Sequence, residues 1–296
     1  METNLINLIE RYSNEDKCRQ YLEGLRWHGG IKCPRCGSDK VSRITKRDQY
    51  DCDKCRYQFS VTAGSIFHDS HLPLWKWFLA VYLMTESKKG ISANQLKRSL
   101  AISYKTAWYL CHRIRKAMEE ATNKPKLNGT VEVDETYVGG RYDRRRERNA
   151  WEKQAVVGLL QRDGTFEAKA IPTVSKQILT GIIRKRIDKK ATVMTDELRA
   201  YKSIDDTYKH KSVNHSAEEW VCGDVHTNGI ESAWSLFKRS IIGSYHKISS
   251  KHLDAYLDEF EWRFNGRENP YLFRDTLIRL LNSPKLEFKE LIRKTA

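Results

Sequence analysis

Three carboxylates and one ammonium carry the strongest chemical signal in this chain. Asp134 lies in TVEVDETYVGG, Asp196 in ATVMTDELRAY, and Glu231 and Lys238 in HTNGIESAWSLFK. The first stretch alternates as a strand does, with Val131 and Val133 on one face and Glu132, Asp134 and Thr136 on the other. The second is an apolar strand running into Asp196. The third reads as a helix from near Asn228, with Ile230, Ala233, Phe237 and Ile241 forming an apolar stripe. Asn228, Glu231, Ser235 and Lys238 share its polar side. A carboxylate in mid-strand is costly to bury unless it is paired or bound to metal. Hard oxygen donors with no Cys or His among them suit Mg²⁺ or Mn²⁺. Two such ions ~3.5–4 Å apart can clamp the attacking and leaving oxygens of an in-line phosphoryl displacement. Lys238, two turns beyond Glu231, would then hold a phosphate beside them.

Each of these residues has a plainer reading. Asn228-x-x-Glu231 is also an N-cap followed by its capping-box glutamate. Glu132 shares the face of Asp134 and competes with it as a ligand, Glu197 adjoins Asp196, and Glu135 falls on the opposite face. His215 and His226 are ordinary loop or core histidines unless they touch phosphate. Trp234 divides between the core and stacking on an unpaired base. Arg141, Arg144, Arg145, Arg146 and Arg148 form a solvated run, or a set of phosphate contacts close in sequence to Asp134.

A second metal chemistry lies upstream. Cys33-x2-Cys36 and Cys52-x2-Cys55, fifteen residues apart, have the spacing of a four-thiolate zinc site. Such a site is closed, so the zinc is structural. Short strands at Val41–Ile44 and Tyr57–Val61 make the segment a ribbon over 31–62. Cys18, Cys111 and Cys222 have no neighbour at ligand spacing and read as buried.

These residues need a scaffold, and the chain supplies one in order. Residues 1–30 carry two short amphipathic helices. Residues 70–120 are helical throughout and end in a helix-turn-helix: Ser92–Leu100, a turn at 101–103, then a basic helix Tyr104–Met118. Its candidate DNA contacts are Lys105, Thr106, Arg113, Arg115 and Lys116; a solvated helical bundle is the alternative. A polar linker, 121–129, precedes a domain over 130–245, in which AVVGLLQRDGTFEAKAI is a hairpin turning at Asp163-Gly164. A helix spans about 176–187, and C-terminal helices fill 246–296. The net charge of +15 calls for a polyanionic partner, of which nucleic acid is the usual one. A 40% hydrophobic, 31% charged composition, without a leader-like N-terminus or a membrane-length apolar run, points to a cytoplasmic protein with no membrane partner.

Taken together and in this order, VEVDETYVGG, TDELRAY, HTNGIESAWSLFKR and the cysteine ribbon resemble one family. It is the zinc-ribbon-bearing DDE transposases of bacterial insertion sequences, within the ribonuclease-H-like transposases and integrases. The 34 residues between Asp196 and Glu231 and the Glu231-x6-Lys238 spacing are similar to that family's signature. The resemblance implies an α/β fold, a ribonuclease-H-like mixed sheet flanked by helices, behind the ribbon and the helix-turn-helix. It implies cleavage at the ends of a mobile element and transfer of the freed 3′-hydroxyl to target DNA. It also implies one structural Zn²⁺, two catalytic Mg²⁺ or Mn²⁺ ions, and a homo-oligomer on double-stranded DNA. In this group the third acidic position is often an asparagine; this chain offers both Asn228 and Glu231, and charge favours Glu231. A junction-resolving nuclease, or a DNA-binding regulator with a relic nuclease domain, would share parts of the pattern.

Overall fold

The computed structural model describes residues 4–119, 124–139, 153–204, 207–213 and 224–293. They fall into two units, 1–119 with 268–296, and 120–267.

The first unit opens with α1 (Leu5–Arg11) and α2 (Glu15–Arg26). Asn4 and Asn14 cap them, each accepting a third-residue amide at 2.9 Å. Among the described residues the ribbon is a three-stranded antiparallel sheet, β1 (Val41–Ile44), β2 (Gln49–Cys52) and β3 (Gln58–Phe59). Then come α3 (Leu74–Glu86), α4 (Ala93–Leu100) and α5 (Tyr104–Met118). Ser92 and Ser103 cap α4 and α5, and the turn between them needs the left-handed backbone of Ala101 (φ 49°).

The second unit holds, among the described residues, a five-stranded sheet in the order β6-β5-β4-β7-β8. β4 (Thr130–Val138), β5 (Gln154–Gln161) and β6 (Phe166–Ile171) form an antiparallel meander. After α6 (Lys176–Arg186), β7 (Thr192–Thr195) and β8 (Lys209–Ser212) join in parallel on the other side of β4. α7 (Asn228–Ser240) runs on into a π-helical turn, Ile241–Tyr245, and α8 (Leu253–Asn265) follows. This meander with two added parallel strands is the mixed, ribonuclease-H-like sheet expected. Strand alternation sends Val131, Val133, Val157 and Val193 into one core with Leu179, Ile183 and Tyr201. Val156, Leu160 and Phe166 turn the other way, onto Ile230, Trp234, Phe237 and Phe260 of α7 and α8. The sheet is therefore covered on both faces.

β6 is an edge strand, and α8 closes that edge. The amides of Phe166, Ala168 and Ala170 donate to Asn265 Oδ1 (2.8 Å), Glu261 Oε1 (2.7 Å) and Asp254 Oδ1 (3.1 Å). Asn265 returns a bond to the Phe166 carbonyl at 2.9 Å.

The chain then returns to the first unit as α9 (Leu272–Asn282), which packs on α2, α3 and α5, and α10 (Phe288–Ile292). The C-terminal helices expected as one block over 246–296 are thus divided between the units, because α8 carries polar groups for β6 while α9 carries Phe273 for the aromatic cluster of Tyr12 and Phe78. Part of the linker expected at 121–129 is packed. Leu127 is buried, and its amide donates to the Arg186 carbonyl at 2.8 Å. Among the described residues no helix is long and apolar enough to cross a membrane.

Candidate active site

Sheet register brings the first two acids together. Thr130, Val131 and Glu132 lie opposite Thr192, Val193 and Met194. Two residues further along each chain, where β7 has just ended, Asp134 comes level with Asp196. Asp196 is held there by its own turn, Oδ1 accepting the Leu198 amide at 3.0 Å.

A glycine brings in the third. Asp134 is paired across the antiparallel ladder with Gly158, so both project to the same face. A methyl at Gly158 would collide with Cζ2 of Trp234 and stand 3.0 Å from its Cη2 and 3.1 Å from Cδ1 of Ile230. The bare backbone lets α7 settle onto the sheet at this point. Trp234 is buried there, edge-on to Phe166 with ring centroids 5.4 Å apart, which settles it in the core. Glu231, three residues before Trp234, lies over the same face as Asp134.

Electrostatics record the proximity. Burial, with the negative charges of Glu135, Asp196 and Glu231 beside it, pushes Asp134 up to about 7. Glu135 is also raised by burial, against the hydrogen bond it accepts from the buried Tyr201 hydroxyl at 2.6 Å. Tyr201 lies in the 3-10 turn Arg199–Ile204, so this bond ties the segment after Asp196 back to β4.

At the start of α7 the alternative reading, an Asn228–Glu231 capping box, is not formed. Thr227 occupies the N-cap position and Asn228 is the first helical residue, exposed. The Thr227 hydroxyl donates to Glu231 Oε1 at 2.8 Å, orienting that carboxylate. Glu132 does the capping from outside the helix, its Oε2 accepting the Ile230 amide at 2.9 Å. The competitor of Asp134 is therefore committed elsewhere. Lys238 is exposed two turns along. Arg141, Arg144 and Arg145, with His215 and Cys222, lie outside the described residues.

The four ribbon cysteines converge. Their Sγ atoms all lie within 4.8 Å of one another, with Cys33–Cys55 at 3.6 Å and Cys36–Cys52 at 3.5 Å. Zn–S bonds of ~2.3 Å in a tetrahedron put sulfurs about 3.8 Å apart, so the cluster fits one structural zinc.

The basic helix divides. Lys105 and Lys116 are exposed and Thr106 is half-buried; Lys105 lies 4.7 Å from the Phe288 ring and Lys116 pairs with Glu119. Arg113 and Arg115 correct the expectation of DNA contact, since they are 4% and 2% exposed. Arg113 donates to the carbonyls of Ile66 and His68, the latter at 2.7 Å, and its guanidinium packs on Trp77 and Tyr109. It is a core residue, its guanidinium held by those carbonyls and by the two rings.

Sequence reasoning passed over Gly158, Arg162, Thr227 and Gly229. A glycine inside the apolar run AVVGLLQ was a signal of close approach. Nothing local marked the others, whose partners are distant in sequence.

Comparison with known proteins places the chain among transposases. Residues 126–265 match the ISXO2-like transposase domain, and residues 13–58 match the transposase zinc-ribbon domain. An uncharacterized protein in transposable element ISH50 of Halobacterium salinarum is 32% identical over 277 residues, 86% of this chain and 92% of that protein. An uncharacterized transposase-like protein of Haemophilus influenzae is 33% identical over 99 residues, 33% of this chain and 79% of that protein. Ribbon, mixed sheet and relatives agree, and the chain belongs to the zinc-ribbon-bearing, ISXO2-like transposases of insertion sequences.

Proposed function

We propose that this transposase cuts the ends of its insertion sequence and joins the freed 3′-hydroxyl to target DNA, with Asp134, Asp196 and Glu231 as the catalytic carboxylates. One observation carries the reading: the β4–β7 register sets Asp196 level with Asp134 under the helix that bears Glu231. The donor set fits divalent cations. Burial first, then the charges of Glu135, Asp196 and Glu231, raises Asp134 to about 7, and Mg²⁺ or Mn²⁺ would offset both by favouring the ionised carboxylate. When bound, such ions supply Lewis-acid stabilisation of charge on the phosphate.

The chain's own groups do the rest. Thr227 holds the Glu231 carboxylate in one orientation. Lys238 meets the DNA phosphate beside the acids, and Arg141, Arg144 and Arg145 extend that grip. Lys105, Thr106 and Lys116 contact the element's end, and the ribbon's zinc stiffens the segment before them. Water attacks the phosphodiester at the element's end and a 3′-hydroxyl leaves; that hydroxyl then attacks a target phosphate, displacing another 3′-oxygen. One P–O bond forms and one breaks in each step. Copies of the chain pair on double-stranded DNA, in the cytoplasm, to hold two ends.

The test uses purified full-length protein, its own end DNA and Mg²⁺ or Mn²⁺. Asp134→Ala and Asp196→Ala should abolish cleavage and keep end-binding. Glu231→Gln should be nearly as damaging, and Asn228→Ala milder. Cleavage that survives Glu231→Gln and fails in Asn228→Ala would reassign the third ligand to Asn228.

A further inference from the structure

The first turn of α7 is gripped by an ion pair outside the carboxylate set, its glutamate buried and its arginine partly exposed. Glu132 is 1% exposed. While its Oε2 accepts the Ile230 amide, its Oε1 accepts Arg162 Nε at 2.8 Å, with His226 Nδ1 3.5 Å away. Arg162 comes from the turn after β5 and reaches further. It donates to the carbonyls of Asp224 (2.9 Å) and His226 (3.0 Å), and Nη2 lies 3.0 Å from Met194 Sδ. One guanidinium thereby joins β4, β7 and the approach to α7. Gly229 makes the approach possible, since a methyl there would stand 2.8 Å from both Glu132 Oε2 and Leu160 Cδ2. A carboxylate at a helix N-terminus also gains from the aligned amide dipoles.

We propose that Glu132 and Arg162 are positioning residues for Glu231, fixing where its carboxylate stands relative to Asp134 and Asp196. The inference rests on the reading of those three acids as the metal-holding set. The path is short and stiff. Ile230 immediately precedes Glu231 on the helix, and Glu132 is one strand repeat from Asp134 on the same face. A bond from the Ile230 amide to Glu132 therefore sets the height of the helix over the strand, and the Arg162 fork sets its rotation. An ion pair that merely stabilised the fold would leave cation affinity alone.

Metal binding to the full-length protein distinguishes the two. Mn²⁺ affinity would be followed by electron paramagnetic resonance, with thermal melting and end-DNA binding alongside. Glu132→Gln keeps an acceptor for the amide but loses the ion pair; Arg162→Lys keeps the charge but loses the fork; Gly229→Ala pushes the helix off its seat. Folded variants should bind end DNA as the wild type does and bind Mn²⁺ about 10–100-fold more weakly, as outer-shell changes do. Raised Mn²⁺ should restore their cleavage. In a Glu231→Gln background Glu132→Gln should cost less than about threefold more, because the group being positioned is gone. Wild-type Mn²⁺ affinity in folded Glu132→Gln and Gly229→Ala overturns the proposal, as does an undiminished loss in the Glu231→Gln background. If Glu132→Gln does not fold, the other two variants decide. Should the wild type bind no Mn²⁺, the metal reading fails on its own. Amide exchange at Ile230 then decides the grip: protection lost in Gly229→Ala supports it, and unchanged protection overturns it.

Discussion

Gly158→Ala is the smallest change that should separate the site from the fold. The added methyl would stand 3.0 Å from Trp234 Cη2 and 3.1 Å from Ile230 Cδ1, where carbon contacts relax at about 3.5–4.0 Å. Trp234 cannot swing aside, because it is buried between Phe166 and Phe237. The strain, greatest at Trp234 Cζ2, is therefore relieved by lifting α7 by roughly 1–1.5 Å, the shortfall of that closest contact. Overpacking of this kind costs about 1–3 kcal/mol, offset by roughly 0.4–1 kcal/mol from a stiffer unfolded chain. A net loss of at most about 2.5 kcal/mol leaves a domain of ordinary stability folded at 25 °C. Activity should suffer more, since a misplacement of about 1 Å can cost ~10²-fold in rate. Urea melts and cleavage of end DNA, measured on the same preparation, compare the two losses. Trp234→Phe in the Gly158→Ala background should restore part of the rate by shrinking the ring. A folded Gly158→Ala protein that cleaves within about threefold of wild type would refute the idea that α7's seat on Gly158 sets the site.

Other outcomes follow from the same structure. Protein purified without chelator should carry about one zinc per chain; Cys52→Ser or chelation should remove it and unfold the ribbon, as metal analysis and circular dichroism would report. Lys105→Ala should lower end-DNA affinity and reduce its salt slope by about one, whereas Arg113→Ala should lower the urea midpoint by leaving buried carbonyls unpaired, with the salt slope unchanged. Burial, against the opposing charge of Lys124, pushes Glu261 up to about 8. A folded-state pKa above the unfolded value means its contribution is full below the ordinary carboxylate pKa and is lost as pH rises toward 8. Melting temperature should therefore fall across that window less steeply in Glu261→Gln than in wild type; parallel curves would show that the group does not titrate there.

Much of the second unit was legible because burial imposes periodicity. Val131 and Val133 alternate with Glu132 and Asp134 because opposite faces of β4 meet different layers. α7 was legible from Ile230, Ala233 and Phe237 for the same reason. β8 was not, since Lys209–Ser212 is a polar edge strand whose pairing with β7 leaves no alternation to read. Arg113 looked like a groove contact because a basic residue on a helix carries no mark of which carbonyls await it, and Ile66 and His68 lie more than forty residues upstream. The site's supports were hidden likewise. Glu132 and Arg162 are 30 residues apart and meet only through the hairpin and the sheet. Sequence indicates which residues can do chemistry, while the partners that hold them are set by topology.

The sealed flank of β6 has a consequence for how copies of this chain can join. Strands recruit strands through unclaimed amides, and those of Phe166, Ala168 and Ala170 are already spoken for by Asn265, Glu261 and Asp254. No second molecule can lengthen the sheet there without first evicting α8. The seal also arrives late, because β6 ends at Ile171 and α8 is complete only at Asn265, 94 residues later. A nascent or truncated chain therefore presents an open strand edge that the finished protein does not.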